Sequence, residues 1–514
     1  MFFDNIAPAE RSCNKLPALV IELEALLGVT GREITREGFL MNAIPDHKPR
    51  GSADFAKIAN AFLAQEGLPF AELISAHRIA EVFSKHGNLF GAGAVYSTAV
   101  MVWSFLGQVL RDGKEASCQS AVARVVAYCL ETGKRPPTED TGDYCRARAK
   151  LSEHALHELT TDIAADLERA ANPAWLWKGL HAKLVDGFTF TMPDTAENQA
   201  EYPQQRGQVS GCGFPIARAV AIVSLATACV IDLAVGPYRG KETGETALMR
   251  QLLSKLGEGD IAVMDRYYCS FMMIAVLLGQ NAQVCARKHH LRHTDFRRGK
   301  RLGKYDHLIT WVRPPRPTWM SEADYERIPK ELILREIRYW VVENGRRTKS
   351  VTVITTLLDS QAFDKQAIAD LYGFRWNAET DIGHIKTSLN LWHVRCKSPG
   401  MVRREIWATM LAYNLIRTTA AAAAQVHRKL PRQVSFTCTC QYLLSVWMLR
   451  SVGSNSRGKS DHRLVALLQH IANCEVANRP GRLEPRCIKR RPKNYPLMQQ
   501  PRNTLRSQIA KRCT

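Results

Sequence analysis

The chain has no CxxC pair, no GxxxxGK[ST] loop and no long apolar run free of charge. Each absence removes a class of function. Its fourteen cysteines are scattered, and the one close pair, Cys438 and Cys440, is CxC. That spacing starts neither a zinc site nor a disulfide framework, so reduced thiols are expected. Gly207-Gln-Val-Ser-Gly-Cys-Gly213 does not follow the GxxxxGK[ST] pattern of a phosphate loop, so use of ATP is not expected. The longest apolar tract, Ala217–Val235, contains Arg218 and Asp232, and Met1-Phe-Phe-Asp-Asn has no basic start before an apolar core. Neither a membrane span nor a signal peptide is expected, and a cytoplasmic location is.

Acid is scarce as well. With 49 Asp+Glu against 70 Lys+Arg, the formal charge is +21. Such a field favours a nucleic acid or another polyanion as partner. The length of 514 residues and hydrophobic content of 46% suit a globular protein with sizeable cores.

Residues 1–175 read as helical, with three-to-four apolar spacing over Leu16–Leu27, Phe55–Glu66, Leu73–Lys85, Val95–Leu110, Ser117–Thr132 and Tyr144–Ala171. This region is expected to bind DNA. His77–Lys85 is a candidate recognition helix, with a plain helical bundle as the alternative. The texture changes at about 181. His181–Met192, Ile216–Leu225, Thr227–Val235, Ile261–Asp265 and Gln283–Arg287 read as strands, with helices over Thr246–Leu256 and Ser270–Gly279. Residues 176–287 therefore form the first part of a mixed α/β core. A basic stretch, Lys288–Arg301, opens a β-rich insertion over 288–355, with strands at His307–Val312, Ile333–Val342 and Val351–Leu358. The core resumes over 356–400. Residues 401–514 read as helical and basic, with an extended or loosely ordered end over Arg479–Arg512.

Between Asp370 and Lys386 there is no proline, and the apolar spacing predicts one helix. On a helical wheel Tyr372, Arg375, Glu379 and Lys386 fall within about 60° of one another, while Asp381 faces away. A solvated face with ion pairs explains such a stripe. So does a site for a polyanion and a metal, with Glu379 as oxygen ligand and the cations on phosphates. Asp186 and Asp265 each follow an apolar run that carries an acid toward the interior, where it needs a partner, a metal or a proton. Three acids gathered together would need a cation, and Mg2+ suits an all-oxygen set.

Asp186 in Leu-Val-Asp-Gly, Asp265 in Met-Asp-Arg-Tyr-Tyr, and Tyr-x2-Arg-x3-Glu-x6-Lys at 372, 375, 379 and 386 resemble the bacterial DDE transposases of the insertion sequence four family. Gly236-Pro-Tyr-Arg-Gly-Lys-Glu-Thr-Gly-Glu245, Arg395-Cys-Lys-Ser-Pro399 and Ala412-Tyr-Asn-Leu-Ile-Arg417 are similar to its members too. The resemblance implies an RNase H-like mixed-sheet catalytic core with an inserted β subdomain, flanked by helical regions. It implies Asp186, Asp265 and Glu379 holding two Mg2+ ions, with Mn2+ able to substitute. It also implies cleavage at inverted-repeat ends and strand transfer into target DNA, by a homodimer on double-stranded DNA within the nucleoid. A nuclease without strand transfer and an inactive DNA-binding derivative are the rival readings.

Tyr372, Arg375 and Lys386 are expected on the terminal phosphates, with Arg297, Arg298, Arg395 and Lys397 as further DNA contacts. Trp311 and Trp319 are candidates to stack a displaced base, against core packing as the alternative. His289, His290, His293 and His307 crowd one region, but their Arg and Lys neighbours favour a DNA-facing surface over zinc.

Overall fold

The computed structural model describes residues 74–90, 94–341, 350–450, 460–477 and 496–513. The expected helices at Leu16–Leu27 and Phe55–Glu66, and most of the basic run after Arg479, lie outside the described residues.

Among the described residues five helices come first: α1 (Ala76–Lys85), α2 (Thr98–Val109), α3 (Cys118–Glu131), α4 (Thr141–Ala149) and α5 (Glu153–Arg169). The stretch expected as one helix from Tyr144 is two. Asp140 and Ser152 each accept a backbone N–H at a helix start, so the second cap ends α4 and begins α5. The His77–Lys85 helix is part of this bundle. Ile79, Val82 and Phe83 are buried, while Arg78 pairs with Asp166 at 2.7 Å and Lys85 with Glu158 at 3.0 Å on α5. Those cations are committed within the protein.

The core then runs β1 (His181–Thr191), α6 (Ala196–Glu201), β2 (Ile216–Ser224), β3 (Val230–Pro237), α7 (Glu245–Gln251), β4 (Asp260–Met264), α8 (Phe271–Gly279) and β5 (Gln283–Arg287). The insertion supplies β6 (Lys300–Gly303), β7 (Asp306–Val312), α9 (Glu322–Arg327), β8 (Glu331–Trp340) and β9 (Ser350–Thr355). All join one nine-stranded sheet in the order β3-β2-β1-β4-β5-β9-β8-β7-β6. β1, β2 and β3 pair antiparallel, and β1, β4 and β5 parallel. That order and those directions are the RNase H-like arrangement. β9 pairs antiparallel with β5, so the inserted strands extend the catalytic sheet.

Period-two alternation puts the central strands between two cores. In β4, Ile261 and Val263 face one cluster, and Ala262 and Met264 the other. In β2, Ala217, Ala219, Ala221 and Val223 face the helical layer, while Val220 and Ile222 face α7 and α8.

After the sheet come α10 (Lys365–Gly373), α11 (Trp376–Gly383), α12 (Pro399–Val426), α13 (Phe436–Arg450), α14 (Ser460–Asn473) and α15 (Arg502–Cys513). The 28-residue α12, about 42 Å long by the helical rise, shares one core with α1–α5 and the face of β1–β3. The chain's two helical flanks therefore meet over the sheet. Residues 502–513, expected to be loose, form a helix with little amphipathic character. No helix among the described residues is long and apolar enough to cross a membrane.

Candidate active site

The helix expected over 370–386 is broken in two places. At Gly373-Phe374-Arg375 the hydrogen bonding tightens: Arg375 N–H reaches Tyr372 O and Ala378 N–H reaches Arg375 O. Glycine lowers the stiffness of the ladder there. A π turn over His384–Ser388 then widens it before Leu389. The breaks redirect the signature residues without separating the first three.

Two acids are placed by backbone alone. In the parallel β1–β4 pair Val185 lies opposite Met264, so Asp186 and Asp265 are the next residues on neighbouring strands. Adjacent strands lie about 4.8 Å apart. Each aspartate accepts the following backbone N–H: Gly187 at 2.9 Å for Asp186 and Arg266 at 2.6 Å for Asp265. Gly187 lets the Glu245 side chain lie close against the strand on its opposite face: an added Cβ would sit 2.6 Å from the Glu245 carboxyl carbon and make that side chain move.

The third acid is placed by charge. Arg375 Nη1 lies 3.3 Å from Asp186 Oδ2, and Nη2 donates to Glu379 Oε1 at 2.8 Å. One buried guanidinium thus joins the sheet acid to the helix acid. Burial pushes the Asp186 carboxyl up to about 6; Arg375 and the Gly187 N–H oppose that rise, while Glu379 and Asp265 add to it. Tyr372 lies against the sheet, 7% exposed, with its hydroxyl raised by burial and by the nearby Asp265. Lys386 Nζ sits 3.8 Å from the centre of the Trp392 ring and 6.0 Å from that of Phe188. Among the described residues no three His, Cys, Asp or Glu side chains stand close enough to enclose one ion. Arg375 occupies the gap between Asp186 and Glu379.

The chain matches the "Transposase DDE domain" family over residues 177–415, which spans all three acids and the whole signature. It is 27% identical over 411 residues to the transposase InsG for insertion sequence element IS4 of Escherichia coli (strain K12), covering 77% of this chain and 86% of that one. The chain is thus similar to the insertion sequence four DDE transposases over the stretch that carries the three acids. It is a DNA transposase, hence a DNA-cleaving and strand-transferring enzyme that binds DNA. Among solved structures it is similar to the piggyBac transposase synaptic complex with hairpin DNA, at 10% identity and a TM-score of 0.38, with 82% of this chain and 86% of that one covered. The strand order carries the fold assignment without it.

The other expected contacts of this transposase fall into two groups. Arg297 and Arg298 project from the insertion with side chains 89% and 87% exposed, anchored by Asp295, and Lys397 is exposed. Arg395 turns inward instead: its guanidinium donates to Arg111 O at 3.0 Å and pairs with Asp112, tying the helical bundle to the loop after the π turn. Trp311 is 7% exposed, and the Arg292 guanidinium covers its ring at 3.7 Å, so it is a core residue and not an open platform. Trp319 is half-buried under Arg250 at 4.5 Å.

Two tryptophans beside the signature went unread in the sequence. Trp376 is 44% exposed and Trp392 58%. An aromatic directly after the signature arginine was the available cue for the first. The second becomes visible only because Thr191, at the end of β1, hydrogen-bonds Trp392 O at 3.0 Å. The four histidines do not converge. His307 is buried against Glu336 and the carbonyl of Arg298, whereas His289 and His290 stack on each other.

Proposed function

We propose that Asp186, Asp265 and Glu379 are the catalytic acids of this transposase, cutting at inverted-repeat ends and joining those ends to target DNA. One observation carries the reading: sheet register sets Asp186 beside Asp265, and Arg375 holds the distant Glu379 to the same carboxylate. The donor chemistry fits hard divalent cations, two Mg2+ with Mn2+ able to substitute, since the carboxyls are all-oxygen donors and that of Asp186, pushed up by burial, is stabilised as carboxylate by a cation nearby. When bound, the metal would activate the attacking oxygen and offset charge at phosphorus.

The protein's own groups do the rest. Arg375 serves as counter-charge until a DNA phosphate competes for it; a guanidinium pairs with phosphate in the same bidentate way as with carboxylate, so the two can exchange. Its transfer to a phosphate would free Asp186 and Glu379 together. Lys386 lies along the same face and is placed to neutralise phosphate, while the protonated Tyr372 hydroxyl orients groups near Asp265. Arg297, Arg298 and Lys397 extend the cationic surface for duplex DNA. Trp392 and Trp376, the more exposed rings, can stack an unpaired base once Lys386 and Arg375 turn from them to phosphate, and Trp319 can if Arg250 moves. A homodimer on DNA would pair two ends.

The test supplies end-sequence DNA and a 3′-OH donor to Asp186→Asn, Asp265→Asn and Glu379→Gln. Cleavage and joining should each fall by roughly 10³-fold while DNA affinity is kept. Wild-type cleavage by Asp186→Asn overturns the site. Cleavage without joined product by the unmodified chain makes it a nuclease.

A further inference from the structure

Behind the helix that carries Glu379 lies a buried cluster of charge that touches none of the acids. Asp381 is 0% exposed. Its Oδ1 accepts from Arg417 Nη2 at 2.7 Å, and its Oδ2 pairs with Arg432 Nη1 at 2.8 Å. Neither guanidinium ends there. Arg417 Nε donates to the Tyr413 hydroxyl at 2.9 Å, which donates to Ala228 O at 3.0 Å. Arg432 donates to Leu225 O and Ser224 O, both at 2.7 Å. Ser224, Leu225 and Ala228 make up the β2–β3 turn, and Ser224 lies opposite Lys183 on β1, three residues before Asp186.

Asp381 therefore connects α11 to the same hairpin that registers the strand of the first catalytic acid. Without it α11 would rest on one apolar edge, Ala378 and Ile382, between two breaks in the hydrogen bonding. Arg375 and Glu379 sit on the opposite side of this helix, so rotation or sliding of α11 moves them directly.

We propose that Asp381, through Arg417 and Arg432, is a positioning residue that sets how far Glu379 stands from Asp186 and Asp265. The inference rests on Glu379 being the third catalytic acid. Arg417 in Ala-Tyr-Asn-Leu-Ile-Arg thereby acquires a role in the reaction without contacting DNA. Asn414 of the same stretch holds Val230 N–H and O at 2.8 and 2.9 Å, fixing the other end of the turn.

The experiment uses the full chain with Asp381→Glu, which keeps the charge but adds a methylene, and Arg432→Lys, which keeps the charge but loses the fork to Ser224 and Leu225. Four quantities are read: melting temperature, affinity for end DNA, Mn2+ affinity of the DNA complex by electron paramagnetic resonance, and single-turnover cleavage. Both variants should melt within a few degrees of the unmodified chain and bind DNA equally well. Mn2+ affinity should fall several-fold and cleavage about ten- to a hundred-fold, the scale of a displacement of about 1 Å. A purely structural role would change the folded fraction and leave the Mn2+ affinity per folded molecule alone; that result overturns the proposal. If Asp381→Glu does not fold, Arg432→Lys decides by the same readings. Glu379→Gln separates the two hypotheses: wild-type cleavage there removes the third acid itself, whereas an inactive Glu379→Gln beside unaffected Asp381→Glu and Arg432→Lys removes only the positioning role.

Discussion

The two halves of the site are held by different forces. Asp186 and Asp265 are fixed by main-chain hydrogen bonds in a sheet buried on both faces. Glu379 and Arg375 ride on a helix broken above and below, and ion pairs hold it in place. Backbone register cannot shift by less than a residue, whereas an ion pair can exchange partners with little motion. A site that must admit DNA and then assemble around it is well served by one rigid half and one exchangeable half.

The comparison breaks most visibly at Arg375. Arg375→Gln removes the counter-charge between the acids, so the DNA-free protein should bind Mn2+ more tightly than the unmodified chain. Its cleavage should drop by roughly 10²-fold, because the phosphate contact is lost as well. Calorimetric titration of Mn2+ without DNA checks the first part; unchanged affinity would mean that the guanidinium does not compete with metal.

A smaller effect is expected at the outer end of the helix half. Trp392→Ala should weaken binding of end DNA carrying unpaired flanking bases by about ten-fold, in line with about 1–3 kcal/mol per stacked base. Fully paired DNA should bind as before, and Trp392→Phe should restore much of the difference. Equal losses on both DNAs would assign Trp392 to packing.

The smallest effect lies in the rigid half and depends on pH. Because the Asp186 carboxyl is raised to about 6, its ionisation costs folding energy. Its contribution to stability is fully present below the ordinary aspartate range and is lost as pH rises through about 6. Asp186→Asn should therefore stabilise the metal-free protein at pH 8 by about 1–2 kcal/mol, less than the full shift implies because the group is partly solvated. The gain should vanish toward pH 4. Thermal melts at both pH values check this, and an equal gain at both would place its cause elsewhere.

How much of this was legible differs between the halves in the same way. The runs at His181–Met192, Ile261–Asp265 and Gln283–Arg287 read as strands because β-branched and apolar residues crowd them, and the acids could be picked out from those runs. The break at Gly373–Arg375 was hidden, because helical periodicity continues across a single tightened turn. Trp311 and Arg395 looked available for DNA because residue type says nothing about what covers a side chain; Arg292 and the carbonyl of Arg111 are remote from them in sequence. Asp381 was visible only as the acid facing the other way.

The order of the acids, the spacing of the signature and the excess of positive charge are properties of the chain itself. They were sufficient to point to a DNA transposase and its nucleic-acid partner, because acids in that order and an excess of cations suit work on a polyanion whatever surrounds them. Which acid is held by backbone and which by charge, which tryptophan is open, and what anchors the helix of Glu379 were decided by folding. Those depend on contacts between segments distant in sequence, such as Arg375 with Asp186, 189 residues apart, and Arg432 with Ser224, 208 apart, for which no local pattern exists.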